Sequence, residues 1–249
     1  MTDSRATGVQ TVTRALTMLT CFDGGEELGV SEIAKRQDLA VSTTHRLLQS
    51  LVDAGFLDKD KTSNRYRLGS ALAAYGQISY RQHRIYLSEP YLEQLAATTG
   101  ASASLAMRQG HDVVLLGFSR WRESDGHVLQ GVRLPLHASA LGKVFLAWSD
   151  TDDEDIASLP RAATTPRAIT DVAGIRDELV RTRERGYGFN DEELTPDFRT
   201  IGLPIRDSDG IVRFALGLRG PTELMIDARI PFFVDLARVT ADEIAAVLL

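Results

Sequence analysis

Thr43 and Arg46 stand three positions apart in a segment with helical periodicity, so they share one side of it. An arginine there could bond both acceptors on the edge of a guanine in a DNA major groove. A threonine could meet a base edge or a thymine methyl. Thr44, Leu47, Leu48 and Leu51 form the apolar stripe of a helix from about Val41 to Ala54. The open face is then Val41, Ser42, Thr43, His45, Arg46 and Gln49. Ser42, at the helix start, suits a phosphate held together with backbone N–H groups. Lys59, Lys61 and Arg65 follow in a hairpin, where they would reach backbone phosphates or the minor groove.

Other chemistries find less support. Ser139 lies in His137-Ala138-Ser139-Ala140-Leu141-Gly142, without the flanking glycines of a nucleophile elbow. The same stretch is not a phosphate-binding loop: His137 stands where a glycine is required, and Val144 where a hydroxyl should hold magnesium. The histidines, at 45, 83, 111, 127 and 137, lack metal-ligand spacing, and the single cysteine, Cys21, can form neither an internal disulfide nor a cysteine cluster. The acidic run Asp150–Asp155 reads as a helix start, its charges matching the positive end of the dipole. No catalytic residue, metal or cofactor is expected. The competing reading is a small-molecule enzyme that keeps a helix-turn-helix for assembly.

The elements that must position these residues follow from the pattern of the chain. Its 249 residues, 43% hydrophobic and 25% charged, suit one large globular domain or two small ones. No apolar run reaches the roughly 18 residues of a membrane span, and the polar start has no secretory h-region, so a cytoplasmic protein is expected. The net charge of −6 is unevenly spread. Residues 1–85 carry 11 basic against 9 acidic side chains and the remainder 17 against 25, so phosphate is better received at the N-terminal end.

Val12, Ala15, Leu16, Leu19 and Phe22 predict an amphipathic first helix ending at Asp23-Gly24-Gly25. Ser31 is placed to cap a short second helix from Glu32 to Gln37, and a turn at Asp38-Leu39-Ala40 leads into the third. Phe56–Asp58 and Arg65–Leu68 predict two short strands around a polar loop. Together these make a winged helix-turn-helix over residues 1–70. A linker helix is expected over residues 71–85. Mixed strands and helices fill residues 86–249, including strands at Ser102–Arg108, Val113–Ser119, Thr200–Ile205 and Ile211–Leu218, helices at Ala138–Trp148 and Asp171–Arg185, and a final helix with Ile230, Phe233, Val234, Ala237, Ala241, Ile244 and Leu248 on one face. The fold class is α+β.

Seven blocks in order resemble the IclR-type bacterial transcriptional regulators: GVQTVTRALTMLTCF, LGVSEIAKRQDLAVSTTHRLLQSLVDAGFLDKD, RYRLG, LPLHASALGKVFLA, AITD, ERGYGFNDEE and IGLPIRDSDG. The resemblance runs over about residues 8–248. It implies a winged helix-turn-helix, a linker helix that dimerises, a GAF-like effector-binding domain, operator DNA as partner, and assembly as a homodimer or homotetramer. Val41 stands where that family often carries a lysine or arginine.

The resemblance also implies an effector pocket on one face of the second domain's sheet. Its loop residues fall on Ala140 and Leu141, whose N–H groups at a helix start suit a carboxylate. The family's acidic position falls on Asn190, its cysteine position on Thr200, and its two serine positions on Gly217 and Arg219. Gly217 and Arg219 share one face of a strand and Leu216 and Leu218 the other. An amide in place of an acid, with an added arginine, favours an anionic ligand, and Gly217 is expected to open space for it. A small organic acid, aromatic in the sharpest form of the expectation, would find apolar lining in Met107, Leu116, Phe118, Trp121 and Leu129. Such a protein would control a catabolic operon.

Overall fold

The computed structural model describes residues 4–119 and 131–249. The chain divides into two compact units, 1–79 and 80–249, with the division inside a helix.

The first unit holds α1 (Ser4–Leu19), α2 (Val30–Arg36), α3 (Val41–Asp53), the strands β1 (Leu57–Lys59) and β2 (Tyr66–Leu68), and most of α4 (Ser70–Gln82). Its core joins Met18, Phe22, Ile33, Leu48, Leu51, Leu57 and Tyr66. β1 and β2 are antiparallel, and Leu28 adds a bridge to Tyr66 through a pair of backbone hydrogen bonds of 3.0 and 2.8 Å. The left-handed Gly55, at φ +74°, ends the α3 segment and turns the chain into the hairpin.

Two expectations change here. α2 begins one residue earlier than Ser31: Gly29 occupies the cap, and its N–H donates to Glu32 Oε2 at 2.7 Å. Ser31 is inside the helix. Among the described side chains of α1, only those of the last turn are covered. Met18 and Phe22 are buried, whereas Val12 is 59% and Leu16 53% exposed. α4 buries no residue and leaves Tyr75 and Ile78 outward, although Tyr75 stacks on Phe56 with ring centroids 5.9 Å apart.

The second unit is a six-stranded antiparallel sheet in the order β5-β4-β3-β8-β7-β6, made of β3 (Ser102–Gln109), β4 (Asp112–Ser119), β5 (Arg133–Pro135), β6 (Gly188–Asp191), β7 (Phe198–Arg206) and β8 (Val212–Pro221). One face packs on α5 (Glu89–Thr99) and α9 (Ile230–Leu248), through Ala103, Leu105, Ile201, Leu203, Leu216 and Leu218. The other packs on α6 (Ala140–Ala147), α7 (Asp153–Ser158) and α8 (Val172–Arg185), through Ala106, Val113, Leu115 and Ala215. The alternation of these residues along each strand gives the sheet two apolar faces and so two cores. The acidic run is a helix start as expected: Asp152 accepts from Asp155 N at 2.8 Å. The sequence patterns did not announce β5 or β6. Both are short edge strands whose few residues carry no alternation to read.

A row of cross-strand partners, Gly188, Gly202 and Gly217, crosses β6, β7 and β8 beneath the first turn of α6. A Cβ at Gly188 would lie 2.1 Å from Ala140 O, and one at Gly202 2.7 Å from the same atom. The helix start therefore rests on bare backbone.

Candidate nucleic-acid interface and ligand cavity

Burial along α3 follows the sequence stripe. Thr44, Leu47, Leu48 and Leu51 are buried, and Thr44 Oγ1 donates to Ala40 O at 3.1 Å. Val41, Ser42, Thr43, His45, Arg46 and Gln49 are all exposed. No side chain caps the α3 start at Ala40, so its first N–H groups stay open to an outside acceptor. Gln49 donates to Asp53 Oδ1 at 2.8 Å, which fixes its amide on the outer face.

The hairpin basic residues separate. Lys61 is exposed in the β1–β2 turn, whose shape comes from Asp60: its carboxylate accepts Thr62 N at 2.9 Å and Ser63 N at 2.6 Å. The bonds to Ser63 are the main reason its pKa lies below the usual carboxylate value. Lys59 Nζ sits 5.4 Å from the centre of the Tyr66 ring. Arg65 is half-exposed and engaged within its own chain. Its Nε and Nη2 donate to Glu27 O at 2.9 and 2.6 Å, and Nη2 also reaches Glu32 Oε2 at 2.9 Å. This ties β2 to α2. Sequence spacing put Arg65 on the hairpin but could not show the carbonyl that the fold brings beneath it.

In the second unit a cavity of about 300 Å³ opens between the sheet and the start of α6. Ala140, Leu141, Asn190, Thr200 and Arg219, five of the expected ligand residues, line it. Ser139 caps α6, accepting from Gly142 N at 2.9 Å. Asn190 is 2% exposed and donates from Nδ2 to Ala138 O, holding the end of β6 against the α6 approach. The Arg219 guanidinium lies 3.8 Å from the centre of the Phe198 ring. Glu192 and Glu193, the two acids nearest in sequence to Asn190 and Asp191, are engaged elsewhere, Glu192 with Arg167 at 2.9 Å and Glu193 with Lys143. Among the described lining residues there is no aspartate or glutamate. Arg133 borders the cavity, but its Nη1 is 3.5 Å from Asp112 Oδ2.

Three expectations for the cavity are corrected. Met107 follows Ala103 and Leu105 along β3 and so packs with the α5–α9 core, away from the cavity. Leu116 does the same, because a bulge in the β3–β4 pairing takes it out of register: Leu105 pairs with Gly117 and Ala106 with Leu115. The bulge puts Leu115 and Phe118 on the cavity side together, which simple alternation forbids. Gly217 opens no space for a ligand. A Cβ there would lie 2.6 Å from Ser104 Oγ and 3.3 Å from both Leu141 methyls, so the room it leaves is already filled. Trp121 and Leu129 lie outside the described residues.

Behind the lining lies a cluster that sequence reasoning missed. Lys143, in α6, is 2% exposed, and its Nζ donates to Phe189 O at 2.7 Å, to Glu178 Oε1 at 3.2 Å and to Glu193 Oε1. Glu178 also accepts from Arg185 at 2.6 Å and Arg181 at 3.0 Å. Burial pushes the Glu193 carboxyl above its ordinary value, and its Oε2 has no hydrogen-bond partner. Burial also opposes the charge of Glu178, but Lys143 and Arg185 overcome it and hold its pKa below the ordinary value. The sequence signal was a single lysine inside the apolar run Ala140–Ala147, which can be buried only if it is paired. His137, whose imidazole burial pushes below its usual pKa, is not among the cavity's lining residues.

An exposed polar helix face in one unit and a walled cavity in the other are the two parts a ligand-controlled DNA binder needs, and known proteins share both. Residues 11–61 match the IclR helix-turn-helix domain, and residues 80–246 match the C-terminal domain of bacterial IclR transcriptional regulators. The regulator BhcR of Paracoccus denitrificans is 31% identical over 96% of this chain and 87% of its own, and the repressor AllR of Salmonella typhi 30% identical over 97% and 90%. An IclR regulator structure from Silicibacter sp. TM1040 superposes with a TM-score of 0.87 at 26% identity, covering 96% of each chain. An IclR homologue from Microbacterium hydrocarbonoxydans, in complex with 4-hydroxybenzoate, does so at 0.76 and 26%, over 96% of this chain and 98% of that one. These relatives are named regulators rather than enzymes, and with both domain models covering their parts of the sequence the chain belongs to the IclR family of bacterial transcriptional regulators.

Proposed function

We propose that the protein controls a catabolic operon in the cytoplasm in response to a small carboxylic acid. The acid occupies the cavity of the second unit and changes the grip of the first unit on operator DNA. The observation that carries the ligand reading is Arg219 stacked on Phe198, in a lining that among the described residues holds no carboxylate. A carboxylate would meet the guanidinium or the N–H groups of Ala140 and Leu141, with Asn190 and Thr200 as neutral hydrogen-bonding neighbours. Leu115, Phe118, Leu141 and Phe198 supply an apolar body suited to an aromatic ring. The 4-hydroxybenzoate bound to the Microbacterium homologue supports an aromatic acid.

On the DNA side, α3 lies in the major groove. Arg46 and Thr43 read bases, and Gln49 reads from the next turn. Ser42 and His45 hold phosphate, Val41 offers an apolar contact, and Lys59 and Lys61 reach the backbone from the hairpin. Arg65 positions that hairpin. The uncovered apolar side chains Val12 and Leu16 of α1, and Tyr75 and Ile78 of α4, support assembly as a homodimer or homotetramer.

The test is titration calorimetry with benzoates and short aliphatic acids against wild type and Arg219→Gln, paired with gel shifts on the DNA upstream of the protein's own gene. At least one acid is expected to bind, to alter the shift, and to lose about 1.5–3 kcal/mol in the variant, the worth of a hydrogen bond to a charged group. Binding of neutral analogues with equal affinity, indifferent to Arg219→Gln, refutes the reading.

A further inference from the structure

We propose that Lys143 is the positioning residue of the ligand cavity: one buried ammonium outside the lining fixes the walls of the cavity relative to one another. The inference rests on the proposed reading of the cavity as the ligand site. Lys143 sits one turn beyond Ser139, Ala140 and Leu141, the residues of α6 that face the cavity. Its Nζ holds Phe189 O, next to Asn190, and Glu193 Oε1, next to Leu194 and Thr195, all three neighbours being cavity residues. The carbonyl of Glu193 in turn accepts the hydroxyls of Thr164, which lines the cavity, and of Thr165. The third Nζ bond, to Glu178, anchors the set to α8. All three donors of the ammonium are thereby spent, two on the 189–193 segment and one on α8.

A purely stabilising ion cluster would not need this connectivity. Buried ion pairs can commonly be replaced by apolar groups of similar volume with no loss of stability. That fact separates the two roles. In Lys143→Met/Glu193→Gln the uncompensated charge is removed with the tether, so the melting temperature returns most of the way to wild type, whichever role Lys143 has. Only the positioning role then leaves the walls loose.

The experiment is hydrogen–deuterium exchange on the full-length, unliganded protein. In the double variant, residues 139–144 and 189–195 are expected to exchange at least about tenfold faster, while α5 and β3 keep wild-type rates. Wild-type rates in both segments, or acceleration spread evenly over the second unit, overturn the proposal. Should the double variant fail to fold, Glu193→Met alone serves, since it removes the acceptor on 193 and keeps the Lys143 bonds to Phe189 and Glu178. Acceleration confined to residues 192–195 is then expected, and an unchanged or uniform profile overturns the proposal. Exchange needs no ligand. Failure of every carboxylate to bind would refute the acid reading, whereas failure of the exchange pattern would refute the role of Lys143.

Discussion

Replacing Lys143 by methionine isolates the cost of an unbalanced charge in this interior. The side chains of Lys143, Glu178 and Glu193 are 2%, 9% and 8% exposed. Without the ammonium, Glu178 keeps Arg185 and Arg181, but Glu193 keeps no cationic partner among the described residues and its Oε1 loses the Lys143 bond. Stranding one member of a buried pair costs about 3–5 kcal/mol. For a unit of this size each kcal/mol moves the melting temperature by about 2–4 °C, so a fall of roughly 6–20 °C is expected.

The pH dependence gives the loss a signature. Glu193 has its folded pKa raised by burial above the ordinary carboxylate value, so the folded state keeps a proton that the unfolded chain has released. Its contribution to stability therefore falls as pH rises from about 4.5 through the folded pKa, and the fall is steeper in the variant, where no ammonium favours the charge. Glu178 behaves oppositely: its folded pKa lies below 4.5, and the stability it adds is lost only under more acidic conditions. His137 also titrates in this range and is influenced by Lys143, so calorimetric melts between pH 5 and 7 read Glu193 from the difference between Lys143→Met and Lys143→Met/Glu193→Gln, which both lack the ammonium. The deficit of Lys143→Met should narrow on acidification and should largely vanish in Lys143→Met/Glu193→Gln. A deficit below about 1 kcal/mol at pH 7, or one that does not narrow, would refute the reasoning.

Three other outcomes follow from the geometry. Arg46→Ala should weaken binding to the native operator by about 1–3 kcal/mol per half-site in fluorescence anisotropy, leave the melting temperature within about 1 °C, and leave affinity for random duplex nearly unchanged. Normal footprinting on the native promoter would remove Arg46 from base reading. Gly188→Ala puts a methyl 2.1 Å from Ala140 O, so the start of α6 must move; loss of ligand response together with a lower melting temperature is expected, and wild-type behaviour in both would show that the contact yields freely. Glu32→Gln removes the charge that pairs with Arg65 and accepts from Gly29 N. Because both partners are exposed, stability should barely change, while operator affinity falls through a looser hairpin. Unchanged operator affinity would show that the Glu32–Arg65 pair does not set the hairpin.

The first unit was more legible than the second. The stripe of α3 is read directly because a helix standing on one core has one buried face, and Thr44, Leu47, Leu48 and Leu51 report it. The uncovered half of α1 was not legible, since Val12 and Leu16 show the same spacing whether their cover comes from this chain or from another. In the cavity, Arg219 and Thr200 were legible through the family resemblance, which sets them at its serine and cysteine positions. Alternation along β3 sets Met107 on the α5–α9 face with Ala103 and Leu105, and a bulge that no residue type marks sets Leu116 there too. Phe198 and Lys143 were invisible for a different reason. Their partners, Arg219, Glu178 and Glu193, lie far along the chain, and only the fold brings them together.

The row Gly188, Gly202 and Gly217 has a consequence for how such a protein can diverge. With helix and sheet touching main chain to main chain at Ala140, the frame around the cavity does not depend on the bulk of any side chain that points into it. Phe118, Thr200 or Arg219 can be exchanged singly without reshaping the enclosure. The glycines carry the opposite burden: they touch no ligand, yet a single added carbon at either of the first two would shift the scaffold on which every recognition group hangs.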